Sequence, residues 1–80
     1  MNGYKIIASV GDIEEKREKA IKIRVVTMRG ERNIWFPRSQ TEINNGFVWA
    51  KDWIVDSKGR EYSPIITTDP KIAAMYEEAA

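Results

Sequence analysis

The sequence predicts a single α+β domain, mainly β, in which a small antiparallel curled sheet or barrel is completed by a short C-terminal helix. Three observations carry that expectation. The chain of 80 residues contains no leucine, while eleven isoleucines, five valines and eight aromatic residues supply most of its apolar side chains. Leucine is ordinarily among the commonest residues, and β-branched and aromatic residues fit a pleated, half-buried surface. Residues 20–28 alternate strictly, with Ile21, Ile23, Val25 and Thr27 on one face and Lys22, Arg24, Val26 and Met28 on the other. That is the period of a strand. Near the C-terminus, Asp69-Pro70 supplies a helix N-cap and a proline at the first helical position. A chain this short has room for one domain, spanning 1–80, and buries only about 60% of its unfolded surface. A curled sheet or half-barrel with a helix at one end buries the most apolar surface per residue.

The elements follow in order. Residues 4–10 favour a strand and stop at the turn pair Gly11-Asp12. The charged stretch 12–19 reads as a short helix or a loop. After the strand at 20–28, Arg29-Gly30-Glu31-Arg32 reads as a hairpin turn, with Gly30 free to take positive φ. The return strand Asn33-Ile34-Trp35-Phe36 ends at Pro37, which cannot donate to a ladder. Ser39 or Thr41 caps the next turn, and Gln40 bonds free main-chain groups there. Asn44-Asn45-Gly46 is a turn leading to Phe47-Val48-Trp49. Residues 50–58 carry both a helical stripe (Trp49, Trp53, Ile54, Ser57) and a β-like Trp53-Ile54-Val55, and a helix ending at Gly59 is the preferred reading. Residues 62–68 are β-like around Pro64. The terminal helix presents Ile72, Met75, Tyr76 and Ala79 as its apolar stripe.

Composition narrows the chemistry. There is neither cysteine nor histidine, so disulfides, the usual metal ligands and the usual general base are all missing. Ser9, Ser39, Ser57 and Ser63 have no histidine to activate them. Asp52 and Asp56 have the spacing to hold Mg²⁺, but serve equally as solubilising charges or partners for Lys51 and Lys58. The glycines are scattered at turns, with no phosphate loop. The expectation is a non-enzyme without cofactor or metal. The N-terminal apolar stretch is too short for a signal peptide, and no run is long enough to span a bilayer, so a cytoplasmic protein is expected.

The net charge of +1 is unevenly distributed. Residues 1–15 sum to −2, residues 16–38 to +6 and residues 39–80 to −3. The basic stretch holds the notable cluster of aromatics with arginines. With Ile34 and Phe36 facing inward, Trp35 faces outward beside basic residues of the neighbouring strand. An outward Trp flanked by cations is a stacking platform for an unpaired base. Lys22, Arg24, Arg29, Arg32, Trp35 and Arg38 are therefore the candidate nucleic-acid-binding residues. A solvated strand face explains the same charges, a protein hot spot explains the same Trp and Arg, and Trp49 and Trp53 are read as plugs of the core.

The stretch Ile34-Trp35-Phe36-Pro37-Arg38-Ser39-Gln40 resembles the W-[IL]-P-[KR]-S-Q motif of small, mostly uncharacterised proteins encoded by phages and bacterial mobile elements. A basic β-branched strand precedes the motif, and a segment like Trp53-Ile54-Val55-Asp56-Ser57-Lys58-Gly59 follows it. The similarity covers about residues 16–60, with Phe36 in place of the aliphatic residue. It implies an oligonucleotide-binding-like (OB-like) barrel and a phage or plasmid setting, and carries no activity. The leading expectation is a non-catalytic module that contacts single-stranded nucleic acid through a basic-aromatic hairpin face. The alternative is a phage- or plasmid-encoded protein-interaction module, an inhibitor or accessory subunit of a host enzyme. Partners are thus single-stranded nucleic acid or a host protein, with a homodimer allowed and no membrane.

Overall fold

Strands hold a little under half of the described residues in the computed structural model, which describes residues 2–79, with side chains through residue 75. They are β1 (Tyr4–Ser9), β2 (Ile13–Lys16), β3 (Ala20–Thr27), β4 (Gly30–Pro37), β5 (Thr41–Asn44) and β6 (Phe47–Lys51). Two helices follow, α1 (Asp52–Glu61) and α2 (Pro70–Ala79). Single 3₁₀ turns occupy Val10–Asp12 and Arg38–Gln40. The fold is α+β and mainly β, as the composition predicts. The strands form two antiparallel sheets, β1-β6-β5 and β2-β3-β4, and among the described residues they do not close into a barrel.

The β3–β4 hairpin is the frame of the second sheet. Ile21, Ile23, Val25 and Thr27 of β3 are buried, and on β4 Ile34 and Phe36 are fully enclosed opposite them. The turn sits two residues earlier than expected. Thr27 pairs with Gly30, leaving Met28 and Arg29 as the two-residue loop, and Gly30 opens β4 at φ 104°. The buried Thr27 hydroxyl explains the shift. It donates to Gly30 O (2.7 Å) and accepts from the Arg29 N–H (3.2 Å), closing the loop from inside. The return strand therefore runs Gly30–Pro37 and not only from Asn33.

The stretch 12–19 is neither helix nor open loop. Ile13 packs against the core, Glu15 pairs across to Lys22, and the Arg17 N–H bonds Ala20 O at 2.8 Å to close a β2–β3 hairpin. A strand covered on one side by a basic neighbour tolerates three acidic or basic residues in four. β5 is likewise a short added strand. It joins β6 through Asn45 (φ 54°) and Gly46 (φ 79°), positive values at both loop positions that match the twist of a tight hairpin.

Residues 64–68 link the two sheets. Met28 N–H donates to Pro64 O (2.9 Å), Ile66 N–H to Val26 O (2.8 Å) and Thr68 N–H to Ile6 O (2.9 Å). This strap spans from β3 to the outer edge of β1, with bridges Thr27–Ile65 and Ile6–Thr68.

Helix α1 runs through Gly59 to Glu61, so Gly59 does not end it. A Cβ at Gly59 would stand 3.4 Å from Pro64 Cα, which is how closely the strap approaches the helix. The buried residues of α1 are Ile54 and Val55. Trp53, expected as a core plug, is 56% exposed, because the helix starts at Asp52 and turns position 53 away from the sheets. Trp49 does fill the core, at 8% exposure, beside Ile6 and Ala73. In α2 the Asp69 cap is present: its Oδ1 accepts from the Lys71 N–H at 2.8 Å, and its carbonyl accepts from Ala73 N–H at 3.0 Å. The docked side chain is Ala73, whereas Ile72 and Met75 of the expected stripe are exposed. Tyr76 and Ala79 lie outside the residues whose side chains are described.

Candidate functional site

The outer face of β2-β3-β4 is built by the alternation that buries the inner one. Its rows can be read across the ladder. Glu15, Lys22 and Trp35 form one row, Arg24 and Asn33 the next, and Val26 and Glu31 the third. Trp35 points outward between two buried neighbours and is itself half-buried. Its ring carries two cations. The Arg17 guanidinium lies 4.8 Å from the ring centroid and the Lys22 ammonium 5.5 Å. The β2–β3 hairpin delivers Arg17, and ladder pairing delivers Lys22.

More basic groups gather at this end. The Arg38 N–H bonds Lys19 O (2.9 Å) and the Arg38 Nη1 donates to Arg17 O (3.0 Å), pinning the corner after Pro37 against the β2–β3 turn. Glu18, Lys19, Arg38 and Ser39 line one depression, and Lys16, Arg38 and Glu42 line another, so each mixes basic groups with one carboxylate. Among the described residues, Lys16, Lys19, Lys22 and Arg38 have no carboxylate within 4.0 Å, while Arg17 pairs with Glu15 at 2.7 Å. The Thr41 hydroxyl donates to Arg38 O (3.2 Å), as the expected cap. Gln40 bonds side chains and not main chain: its Nε2 donates to Ser39 Oγ (3.1 Å), and its Oε1 accepts from Trp53 Nε1 (3.1 Å).

The next row is electrostatically closed. Arg24 Nη2 bonds Asp12 Oδ1 at 2.9 Å, and Arg24 Nη1 lies 3.8 Å from Glu14 Oε1. Asp12 also accepts from the Ser9 hydroxyl (3.0 Å) and N–H (3.2 Å). The Arg24 guanidinium holds the Asp12 carboxyl below its ordinary range, against a smaller opposing effect of burial, with Ser9 adding to the lowering. The Asp12 hydrogen bond in turn raises Arg24.

Comparison with protein families, with curated proteins and with solved structures found no match.

Of the residues singled out in the sequence, Lys22, Trp35 and Arg38 come together at one corner. Arg24 lies one row away in its acidic clasp. Arg29 sits in the loop at the far end of the hairpin, roughly 20 Å along the strand direction from Lys22. Arg32 is exposed near that end, its Nη1 bonded to Glu31 O at 2.7 Å. Arg17, Lys16 and Lys19 were not singled out, although all three fall within the basic stretch; recognising the β2–β3 turn would have placed them. Among the described residues, no group of three metal-ligating side chains exists and no helix is long and apolar enough to cross a membrane.

Proposed function

We propose that this protein is a non-catalytic module that contacts single-stranded nucleic acid at the corner formed by Trp35, Arg17, Lys19, Lys22 and Arg38. The observation that carries the reading is the half-buried Trp35 ring with two cations over it and unpaired basic groups around it. Magnitudes favour a base as the stacking group. A surface cation–π contact is worth about 0.5–1 kcal/mol, whereas a base stacked on an aromatic side chain is worth about 1–3 kcal/mol. An incoming base therefore displaces the Arg17 guanidinium from the ring and leaves it to its pair with Glu15. Arg24 is not part of the site, because its charge is already met by Asp12 and Glu14. The phage or mobile-element setting implied by the resemblance belongs to this proposal.

The test is a titration of oligo-dT followed by Trp fluorescence at several salt concentrations. Quenching that weakens steeply with salt supports the reading, and binding that is absent or indifferent to salt refutes it. A protein partner is the second reading, favoured by Trp53, which is exposed yet held by Gln40. A host protein retained after nuclease treatment and lost in Trp53→Ala would select it.

A further inference from the structure

β4 is the longest strand left with an open edge. The outer edge of β1 is occupied by Thr68, and β2 and β5 have only four residues each. β4 has eight and, among the described residues, pairs with β3 alone. The direction of its main-chain groups follows from β3. Met28 N–H and Val26 C=O are both bonded to the strap, so even-numbered positions at this end of β3 turn away from β4. Odd-numbered positions then bond Gly30, Arg32, Ile34 and Phe36. The N–H and C=O groups of Glu31, Asn33 and Trp35 are left pointing out of the sheet. Among the described residues, only the Glu31 carbonyl has a side-chain donor, Arg32 Nη1. Such a row is a template for another strand.

We infer that β4 pairs antiparallel with β4 of a second copy, about a two-fold axis at Asn33, to give a dimer with a continuous sheet across both copies. The edge is self-complementary in this register. Asn33 meets the partner's Asn33, and Glu31 and Trp35 each meet the other residue of the second copy, so all three outward positions exchange paired hydrogen bonds. On the outer face the Glu31 carboxylate lies against the partner's Trp35, the ring that Arg17 and Lys22 cover in each copy. Neighbouring registers are worse. An axis at Arg32 sets two guanidinium groups opposite each other, and an axis at Ile34 sets Glu31 opposite Pro37, which has no N–H to give.

Sedimentation of the full chain across a range of concentrations should show a monomer–dimer equilibrium. Hydrogen exchange at Glu31, Asn33 and Trp35 should slow as the dimer fills. Glu31→Lys and Lys22→Glu should each weaken the homodimer, and an equimolar mixture of the two variants should recover a heterodimer. Asn33→Pro, which removes only an outward donor, should be monomeric with an unchanged circular dichroism spectrum. A chain that is monomeric at every concentration overturns the inference. So does a dimer whose exchange at the three amides is independent of concentration, or one that the charge reversals leave intact. Should Asn33→Pro fail to fold, the charge-swapped mixture decides alone. None of these readouts involves nucleic acid, so the dimer and the binding reading stand or fall separately.

Discussion

Neutralising the basic residues one at a time tests which of them meet phosphate. A single strand laid across the Trp35 corner encounters Lys16, Lys19, Lys22 and Arg38, none of them ion-paired within 4.0 Å among the described residues. Each phosphate neutralised on a single strand adds about −0.7 to the slope of log affinity against log salt. Four free cations thus set the steepest slope at about −2.8. Lys19→Gln, Lys22→Gln and Arg38→Gln should each make the slope shallower by about 0.7. Arg24→Gln should leave it unchanged, because Asp12 holds Arg24 at 2.9 Å and Glu14 stands 3.8 Å away. Freeing Arg24 would break the hydrogen bond that Asp12 accepts from it. The assay is oligo-dT affinity by fluorescence anisotropy over a salt series for each variant. The reasoning is refuted if Arg24→Gln flattens the slope as much as Lys22→Gln does. It is refuted equally if the three free-cation variants keep the parent slope.

Three further outcomes concern stability. Trp49→Ala should cost about 3–5 kcal/mol in urea unfolding and Trp53→Ala about 1 kcal/mol or less, since one ring is buried and the other exposed; equal losses would contradict the burial assigned to them. The Asp12 carboxyl is lowered in the folded state, so its contribution is fully present above the unfolded value near pH 3.9 and is lost as pH falls through the lower, folded value. Asp12→Asn should therefore remove part of the stability loss seen below about pH 4 while leaving the slope from pH 5 to 7 unaltered, as read from thermal melts across that range. Gly59→Ala should stabilise by about 0.5–1 kcal/mol, because the position is helical and the new methyl meets Pro64 Cα at an ordinary 3.4 Å; a lower melting temperature would mean that the strap cannot yield.

What could be read from the sequence followed the strength of each local pattern. β3 and β4 were legible because one face of each is apolar and the other polar over several residues, and Pro37 marks the end. The α2 start was legible because Asp69 and Pro70 act through their own main chain. β2 and β5 were not, since a short added strand needs little apolar side. β2 presents Ile13 between acidic residues, and Ile43 of β5 is 53% exposed. The two tryptophans four residues apart were misread as one stripe because a strand-to-helix junction falls between them. At the site, Trp35 and Lys22 were legible from parity within one hairpin. The Arg17 contact and the Arg24 clasp were not, because each depends on where a second chain segment crosses the hairpin, a tertiary fact that alternation does not encode.

The ion-pair belt and the open edge also bear on each other. Asp12, Glu14 and Arg24 separate the basic corner from the hairpin tip, where Arg29 and Arg32 also lack a carboxylate within 4.0 Å among the described residues, so the Trp35 end is set apart by free cations gathered round an aromatic ring. Pairing of β4 about Asn33 would bring a second such corner onto the same face. The two Trp35 residues would then be about 14 Å apart, four residues along the strand and one strand over. An oligonucleotide long enough to touch both would bind the second corner as an intramolecular step, gaining affinity without any new kind of contact. A short one would not. Asn33→Pro should therefore weaken binding of long oligo-dT and leave short oligo-dT unaffected, whereas Trp35→Ala should weaken both. Equal losses for both lengths in Asn33→Pro would mean that position 33 acts within a single copy, and would break the link between the edge and the site.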